Sequence, residues 1–270
     1  MERAPDVYVV GLGIRAVQQI TREVEEAMRR CTTVFFVDDG FGVQEHIESL
    51  GTEAVPLLDL YGEGRERRGT YVRMAARVLD RALEAPPVCF ASYGHPTVYV
   101  RPTTLIQAGA GALGLEVRVL AGISALDSIM VDLNLDPGPE GLQMYEATDA
   151  LARRRPLQPD VPCLLWQISA VENGLYTRRR AKAERFARLQ QYLLETYPPE
   201  HEATMVLSAS YQLLPAWTER LPLGELAERL AAGLQAGTLY IPPVAVRPVS
   251  DRELVRDAYD VERLERLSAD

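Results

Sequence analysis

Metal ligands and disulfide partners are scarce in this chain: among 270 residues there are three cysteines and three histidines. Cys31, Cys89 and Cys163 lie far apart, in apolar settings such as PPVCFAS and VPCLLW, and no CxxC pair occurs. The sequence therefore predicts buried, reduced thiols rather than a disulfide framework or a zinc site. His46, His95 and His201 are equally dispersed, without an HxxxH spacing, so no metal centre is expected. Positive charge is also short. A formal net charge of −9 excludes the broad basic face that nucleic acid requires, although it leaves room for a local basic pocket. No apolar run approaches the ~18 residues that span a bilayer, and MERAPDVYVVG lacks the apolar region of a signal peptide. A soluble cytoplasmic protein without a membrane partner is the expectation. What remains is 47% hydrophobic and 25% charged, an ordinary globular composition. The length suits one large domain or two smaller ones sharing an interface.

Strand-like and helix-like stretches alternate along the chain. VYVVGLG (7–13), TTVFFVDD (32–39), PVCFASYGHP (87–96) and LEVRVLAGIS (115–124) read as strands. Between them, 21–31, 43–51, 69–84 and 103–114 read as helices, the third with an apolar stripe at Val72, Ala75, Leu79 and Ala82. Strands of successive β-branched or aromatic residues joined by helices predict a largely parallel sheet covered on both faces. DPGPEG (136–141) is the best break. After it LQMYEATDALARR reads as a strand meeting a helix capped by Thr148. VPCLLWQIS, a helix around 180–197, TMVLSAS (204–210), a helix around 223–235 and TLYIPPV (238–244) complete a second α/β unit. The tail reads as an amphipathic helix with Leu254, Ala258, Val261, Leu264 and Leu267 inward. The expected division is an N-terminal α/β domain over 1–120, a second over 121–246 and a C-terminal helix over 247–270.

The first strand ends in VVGLGIRA, which fits GxGxxA with Gly11, Gly13 and Ala16, and Asp38 closes the next strand. Locally that is a dinucleotide fingerprint. The helix after the glycines starts late, near Thr21, and a glycine turn closing a first strand is common for structural reasons alone. Two later turns count against NAD. In ASYGHPTVYV, Gly94 can take backbone angles closed to other residues and Pro96 fixes the next turn. In AGISALDSI, small residues allow close approach to the backbone, and Ser124 can cap a helix or bond a ligand carboxylate. Each turn alone reads equally well as plain structure.

In this order, VVGLG, the GHP loop near residue 95 and the AGISA turn near 123 resemble the tetrapyrrole methylases, class III S-adenosylmethionine-dependent methyltransferases. That resemblance implies two α/β domains with mainly parallel or mixed sheets and the cofactor folded in the cleft between them. It also reassigns Gly11 and Gly13 away from NAD. YGEGRERRGTYVRM, SYGHPTVYV, MYEATDALARRRP, LLWQIS and TLYIPP further resemble the borosin-type peptide α-N-methyltransferases, which methylate backbone amides of a ribosomally made peptide. Fused members carry their substrate as a C-terminal extension ending in an apolar core peptide. This sequence ends in a charged helix, so the resemblance implies a split form that acts in trans on a separate precursor peptide, as a homodimer. A methyltransferase for a corrin, porphyrin or other small molecule, and a peptide-binding relative without catalysis, are the alternatives.

An amide nitrogen is a poor nucleophile because its lone pair is delocalised into the carbonyl. Methylating it calls for a base at the N–H and a cation or donor for charge developing on oxygen. If the helix extends back to about 66, Arg67 and Tyr71 are i,i+4 neighbours on one face. A guanidinium beside a phenol favours the ionised form, so the pair is a candidate base. Tyr61 precedes it on a glycine-flexible segment, where it can orient the peptide or share the proton. The resemblance implies catalytic roles for Tyr61, Arg67 and Tyr71. It implies S-adenosylmethionine binding by Tyr93, Gly94, His95, Pro96, Val98, Tyr99, Ser124, Ala125, Gln167, Tyr211, Gly237 and Thr238. Arg65, Arg68 and Arg73 read as surface residues, Trp166 and Trp217 as core or interface, and RRRAKAER (178–185) as a solvated helix face.

Overall fold

A computed structural model of the protein describes residues 4–211, 213–234 and 237–269. The first half alternates β1 (Val7–Gly11), α1 (Arg22–Arg29), β2 (Thr33–Val37), α2 (Val43–Ser49), β3 (Glu53–Pro56), α3 (Arg67–Glu84), β4 (Val88–Ser92), α4 (Arg101–Leu113) and β5 (Val117–Leu120). These strands form a five-stranded sheet in the order β3-β2-β4-β1-β5, parallel throughout. The strand period of two divides the side chains between two cores. Val7, Val9, Val88 and Phe90 meet Met74 and Val78 of α3 and Ile106 of α4. Tyr8, Val10, Cys89 and Ala91 meet Val24 and Met28 of α1 and Ile47 of α2. Burial on both faces is why VYVVG and VCFAS are continuously apolar rather than alternating.

The second half contains α5 (Ala125–Asp132), β6 (Gln143–Glu146), α6 (Ala147–Arg153), β7 (Cys163–Trp166), α7 (Ala187–Leu194), β8 (Glu202–Leu207), β9 (Trp217–Pro222), α8 (Leu226–Arg229) and β10 (Thr238–Ile241). Its sheet runs β6-β7-β10-β8-β9. The β6–β7 pair is parallel and the others are antiparallel, so the architecture is α/β with one parallel and one mixed sheet. Helices α6, α7 and α8 cover one face, where Ala150, Leu189 and Leu226 pack on Cys163, Leu165 and Met205. Helix α5 covers the other, with Ile129 against Leu164, Trp166 and Val206.

Several local expectations need correction. Two strands escape a pattern reading, β3 and β9, because both are edge strands ending in proline and largely solvent-facing. Thr148 does not cap α6. The Glu146 carboxylate accepts from the Asp149 amide at 2.7 Å, while the Thr148 hydroxyl accepts from the Glu172 amide at 3.2 Å. The basic run 178–185 is not a helical face, since α7 starts at Ala187 after one 3₁₀ turn at 183–185. The helix expected over 223–235 is a 3₁₀ turn, α8 and a π turn ending at Leu234, and residue 235 lies outside the described residues. The tail forms two short helices, α9 (Arg252–Asp257) and α10 (Val261–Leu267). Its apolar residues do not face inward: Leu254, Val261, Leu264 and Leu267 are all exposed. No helix among the described residues is long and apolar enough to cross a membrane.

Candidate active site

Loops leaving the carboxyl ends of β1, β4 and β5 meet at one point, where an open parallel sheet of this kind usually presents its ligands. The meeting requires glycine. A Cβ on Gly11 would stand 2.3 Å from the Gly94 carbonyl oxygen and 2.9 Å from the Gly122 Cα. One on Gly122 would stand 2.7 Å from both the Gly11 Cα and the Gly94 oxygen. Gly94 also exchanges backbone hydrogen bonds with Gly13. The three turns singled out in the sequence are therefore parts of one backbone knot.

That knot leaves no dinucleotide cradle. The amides of Ile14 and Arg15 both donate to the Gln19 side-chain oxygen, at 2.7 and 2.9 Å, and the helix begins only after Thr21 caps it. The Asp38 carboxylate accepts from the Gly40 amide at 2.7 Å, closing its own turn, and burial raises its pKa. The amides that would grip a pyrophosphate are committed within the chain, and of the acid that would grip a ribose one oxygen closes its own turn while the other is buried without a partner.

The GHP loop is braced from inside. His95 Nδ1 accepts from the Thr97 amide at 3.2 Å, and the Thr103 hydroxyl donates to the Pro96 carbonyl. The loop thereby leaves three large side chains partly exposed: Tyr93 is 43% exposed, Val98 39% and Tyr99 42%. Tyr99, at φ +58, lies 5.8 Å from the Trp166 ring, and Trp166 Nε1 is buried without a protein partner. The Tyr93 and Tyr99 phenols are each pushed up to about 12, by burial first and then by nearby carboxylates. Ser124 caps α5 in a reciprocal box with Asp127, which commits its hydroxyl to the helix and leaves Ala125 as the first helical residue. The Tyr211 hydroxyl accepts from the Phe41 amide at 2.9 Å, bridging the loops that follow β2 and β8. Gly237 has φ +132, and a Cβ there would meet the Val206 carbonyl oxygen at 2.6 Å. Thr238, beside it, pairs with Val206.

Tyr71 lines two neighbouring openings that also share Gln167. A cleft of about 590 Å³ is walled by Arg67, Tyr71, Glu146, Gln167, Glu172 and Arg188, and one of about 290 Å³ by Tyr71, Thr97, Tyr99, Arg101 and Gln167. Helix α3 starts at Arg67, so Arg67 and Tyr71 share a helix face one turn apart. Tyr61 approaches from a preceding turn and sets its ring edge to face with that of Tyr71, centroids 6.3 Å apart. Burial raises the Tyr61 pKa first, and the neighbouring Tyr71 phenol adds to this through charge and hydrogen bonding. The Arg67 charge opposes the shift. Arg68 lines the cleft as well, although its sequence setting suggested a bystander.

Four wall residues were not legible in the sequence: Glu146, Glu172, Asn173 and Arg188. Glu172 sits at φ +55 in a loop without periodicity and pairs with Arg188 at 3.4 Å. Only the chain's long-range path brings these groups to Tyr71. Among the described residues, no cluster of His, Cys, Asp and Glu is arranged to hold a metal.

Residues 6–226 match the family model of Tetrapyrrole (Corrin/Porphyrin) Methylases. The chain belongs to that family, whose members are S-adenosylmethionine-dependent methyltransferases. Within it, the chain is similar over its length to borosin methyltransferases. It is 29% identical over 272 residues to a methyltransferase/ribosomally synthesized cyclic peptide gymnopeptides precursor of Gymnopus fusipes, covering 100% of this chain and 63% of that protein. It is 30% identical over 246 residues to the corresponding dendrothelin A precursor of Dendrothele bispora, covering 90% of this chain and 59% of that protein. The chain thus spans about three-fifths of the length of these curated relatives. The fold matches the methyltransferase CobJ (TM-score 0.60, 16% identity, 90% of this chain and 96% of that one). It equally matches the uroporphyrin-III C-methyltransferase of Thermus thermophilus solved with S-adenosyl homocysteine (TM-score 0.60, 18% identity, 88% and 91%).

Proposed function

We propose that this protein is an S-adenosylmethionine-dependent α-N-methyltransferase acting on backbone amides of a ribosomally made peptide supplied as a separate chain. The observation that carries the reading is that Tyr71 lines two neighbouring openings, which also share Gln167. A further groove of about 320 Å³ beside Tyr192 shares Thr148, Glu172 and Arg188 with the larger of them. A reacting amide in mid-peptide needs room for residues before and after it, and openings that neighbour one another at the phenol suit that need. The names of the relatives, which join a methyltransferase to a cyclic peptide precursor, favour the same substrate class.

The GHP loop suits a nucleoside thioether: partly exposed Tyr93, Val98 and Tyr99 offer apolar surface. Tyr93, Gly94, His95, Pro96, Val98 and Tyr99 would hold the cofactor, with Ser124 and Ala125 from the next turn and Gln167, Tyr211, Gly237 and Thr238 from the second unit. When bound, S-adenosylmethionine supplies an electrophilic methyl on a sulfonium. As its phenolate, Tyr71 would take the proton of the amide nitrogen, leaving the nitrogen lone pair free for that methyl. Arg67 offsets negative charge developing on the peptide oxygen. Tyr61 keeps its proton and orients Tyr71. Domains over 1–120 and 121–246 suit this reading, with α5 counted in the second because Ile129 packs on Leu164 and Trp166. A homodimer is part of the same proposal.

Incubation with S-adenosylmethionine and a candidate precursor peptide added in trans, followed by tandem mass spectrometry, should locate added methyl groups on backbone nitrogens. Methylation of a tetrapyrrole alone would overturn the reading in favour of a small-molecule enzyme. Cofactor binding without turnover on either substrate would favour a peptide-binding relative. Light scattering checks the dimer.

A further inference from the structure

Residues 174–178 lie against the lead-in to α3 as an added strand. The Gly64 amide donates to the Tyr176 carbonyl at 2.8 Å, the Tyr176 amide to Arg65 at 2.8 Å and the Arg67 amide to Gly174 at 3.0 Å. Glu66 and Leu175 pair antiparallel between them. The first amides of a helix have no partner inside it, and Glu66 gives α3 no side-chain cap. The Arg67 amide is therefore satisfied by a segment more than a hundred positions later in the chain. Side chains latch the same contact. The Glu63 carboxylate accepts from the Thr177 hydroxyl at 2.5 Å and from the Arg178 amide at 3.0 Å. Those two bonds hold its pKa below the usual value.

Fastening a strand does not require an aromatic ring, yet the Tyr176 ring lies on that of Tyr61, centroids 4.9 Å apart and planes 32° apart. Arg178 Nε donates to the Tyr176 hydroxyl at 3.3 Å, holding the ring from behind. Tyr61 thus touches Tyr176 on one side and Tyr71 on the other. Its lead-in contains Gly62 and Gly64, the latter at φ +73, so the local chain alone does little to fix where the ring stands.

We propose that Tyr176 is a positioning residue of the methylation site: the 174–178 strand completes the Tyr61–Arg67–Tyr71 cluster, and the Tyr176 ring sets Tyr61 at the angle from which it meets Tyr71. The inference rests on the reading of Tyr71 as the base. It makes the cluster depend on contact between the two halves of the chain, since the segment that completes it follows β7 of the second sheet.

The test compares Tyr176→Ala with Tyr176→Phe in the full chain. Loss of the ring should lower kcat for peptide methylation about tenfold or more, as a small misplacement of a reacting group does. S-adenosylmethionine affinity by calorimetry should stay within about twofold, because no cofactor group is touched. The phenylalanine variant keeps the ring and should retain most of kcat. A spectrophotometric phenol titration gives a readout that needs no substrate. One high-titrating tyrosine should move toward the ordinary range in Tyr176→Ala, and that movement should vanish when Tyr61→Phe is added. Glu63→Ala loosens the latch without touching a ring and should shift both readouts in the same direction by less, so it carries the test if Tyr176→Ala fails to fold. Wild-type kcat in the alanine variant, equal damage from phenylalanine, or an unmoved titration would overturn the proposal. If the wild-type protein methylates no peptide, the functional reading fails and the titration still decides whether Tyr176 sets Tyr61.

Discussion

Tyr61 and Tyr71 meet edge to face, centroids 6.3 Å apart, although nine residues, three of them glycine, lie between them. Burial holds the Tyr61 phenol in its protonated form, and the role of base proposed above falls to Tyr71.

That division of roles makes Tyr71→Phe the direct test of the base. The variant keeps the ring and its packing but has no oxygen to take a proton. Peptide methylation should fall by about a hundredfold or more, the size of a lost general base, while S-adenosylmethionine affinity by calorimetry stays within about twofold. Arg67→Lys should also cost turnover, because a point charge does not reproduce the guanidinium fork. Turnover unchanged in Tyr71→Phe removes Tyr71 as the base.

The glycine knot should tolerate no side chain. Gly11→Ala and Gly122→Ala each place a Cβ within 3 Å of backbone atoms, and backbone cannot swing aside as a side-chain tip does. Denaturant midpoints should fall by the equivalent of at least about 2 kcal/mol, the upper part of the overpacking range. Gly111→Ala is the contrast: this α4 residue has nothing within 4 Å of the added carbon, so helix propensity should stabilise the protein by ~0.5–1 kcal/mol.

Stability should be lost on the alkaline side. Partial burial pushes the Tyr93, Tyr99 and Tyr192 phenols up from the ordinary 10.0 to about 12, and full burial the Cys163 thiol from 9.0 to about 12. Each group holds its proton more tightly folded than unfolded. Its contribution is therefore complete below the unfolded value and disappears as pH rises through the folded one. The melting temperature should change little up to about pH 9 and then fall progressively toward pH 12. A melting series by circular dichroism checks this, and a flat profile across that window would contradict the burial of these groups.

Tyr197 carries a hydroxyl that the fold does not use. Its ring is buried in the second core and stacks on His201 at 5.4 Å, but its oxygen has no partner. A buried polar group without a partner costs about 1–3 kcal/mol. Tyr197→Phe should accordingly leave the melting temperature unchanged or raise it. A clear drop would mean that an ordered water satisfies the oxygen.

The central strands and the long helices were legible because burial on both faces demands unbroken apolar runs in VYVVG and VCFAS, and a helix against a sheet demands a stripe such as Ala75, Leu79 and Ala82, although Val72, expected in the same stripe, is exposed. The edge strands β3 and β9 were not, since an edge in solvent imposes neither pattern. The tail shows a related limit. Leu254, Val261, Leu264 and Leu267 share a spacing, but spacing states which side chains lie together and not whether anything covers them; here they are exposed. The candidate site divides in the same way. The Arg67–Tyr71 relationship follows from helical spacing alone, whereas Glu172 and Tyr176 sit in an aperiodic loop whose position at Tyr61 and Tyr71 depends on contacts across the chain.

By itself the sequence determined which short turns had to be tight and which pairs share a helical face, because both follow from backbone sterics and the 3.6-residue period. It also determined that both faces of the first sheet would be covered. Only the tertiary structure decided that Gly11, Gly94 and Gly122 are glycines for one another's sake. The same holds for the VVGLG turn, whose amides are taken by Gln19 and not left for a phosphate, and for the start of α3, which is closed by a strand from the far half of the chain. These are contacts between segments distant in sequence, set by how two sheets and their loops pack, and no local pattern encodes them.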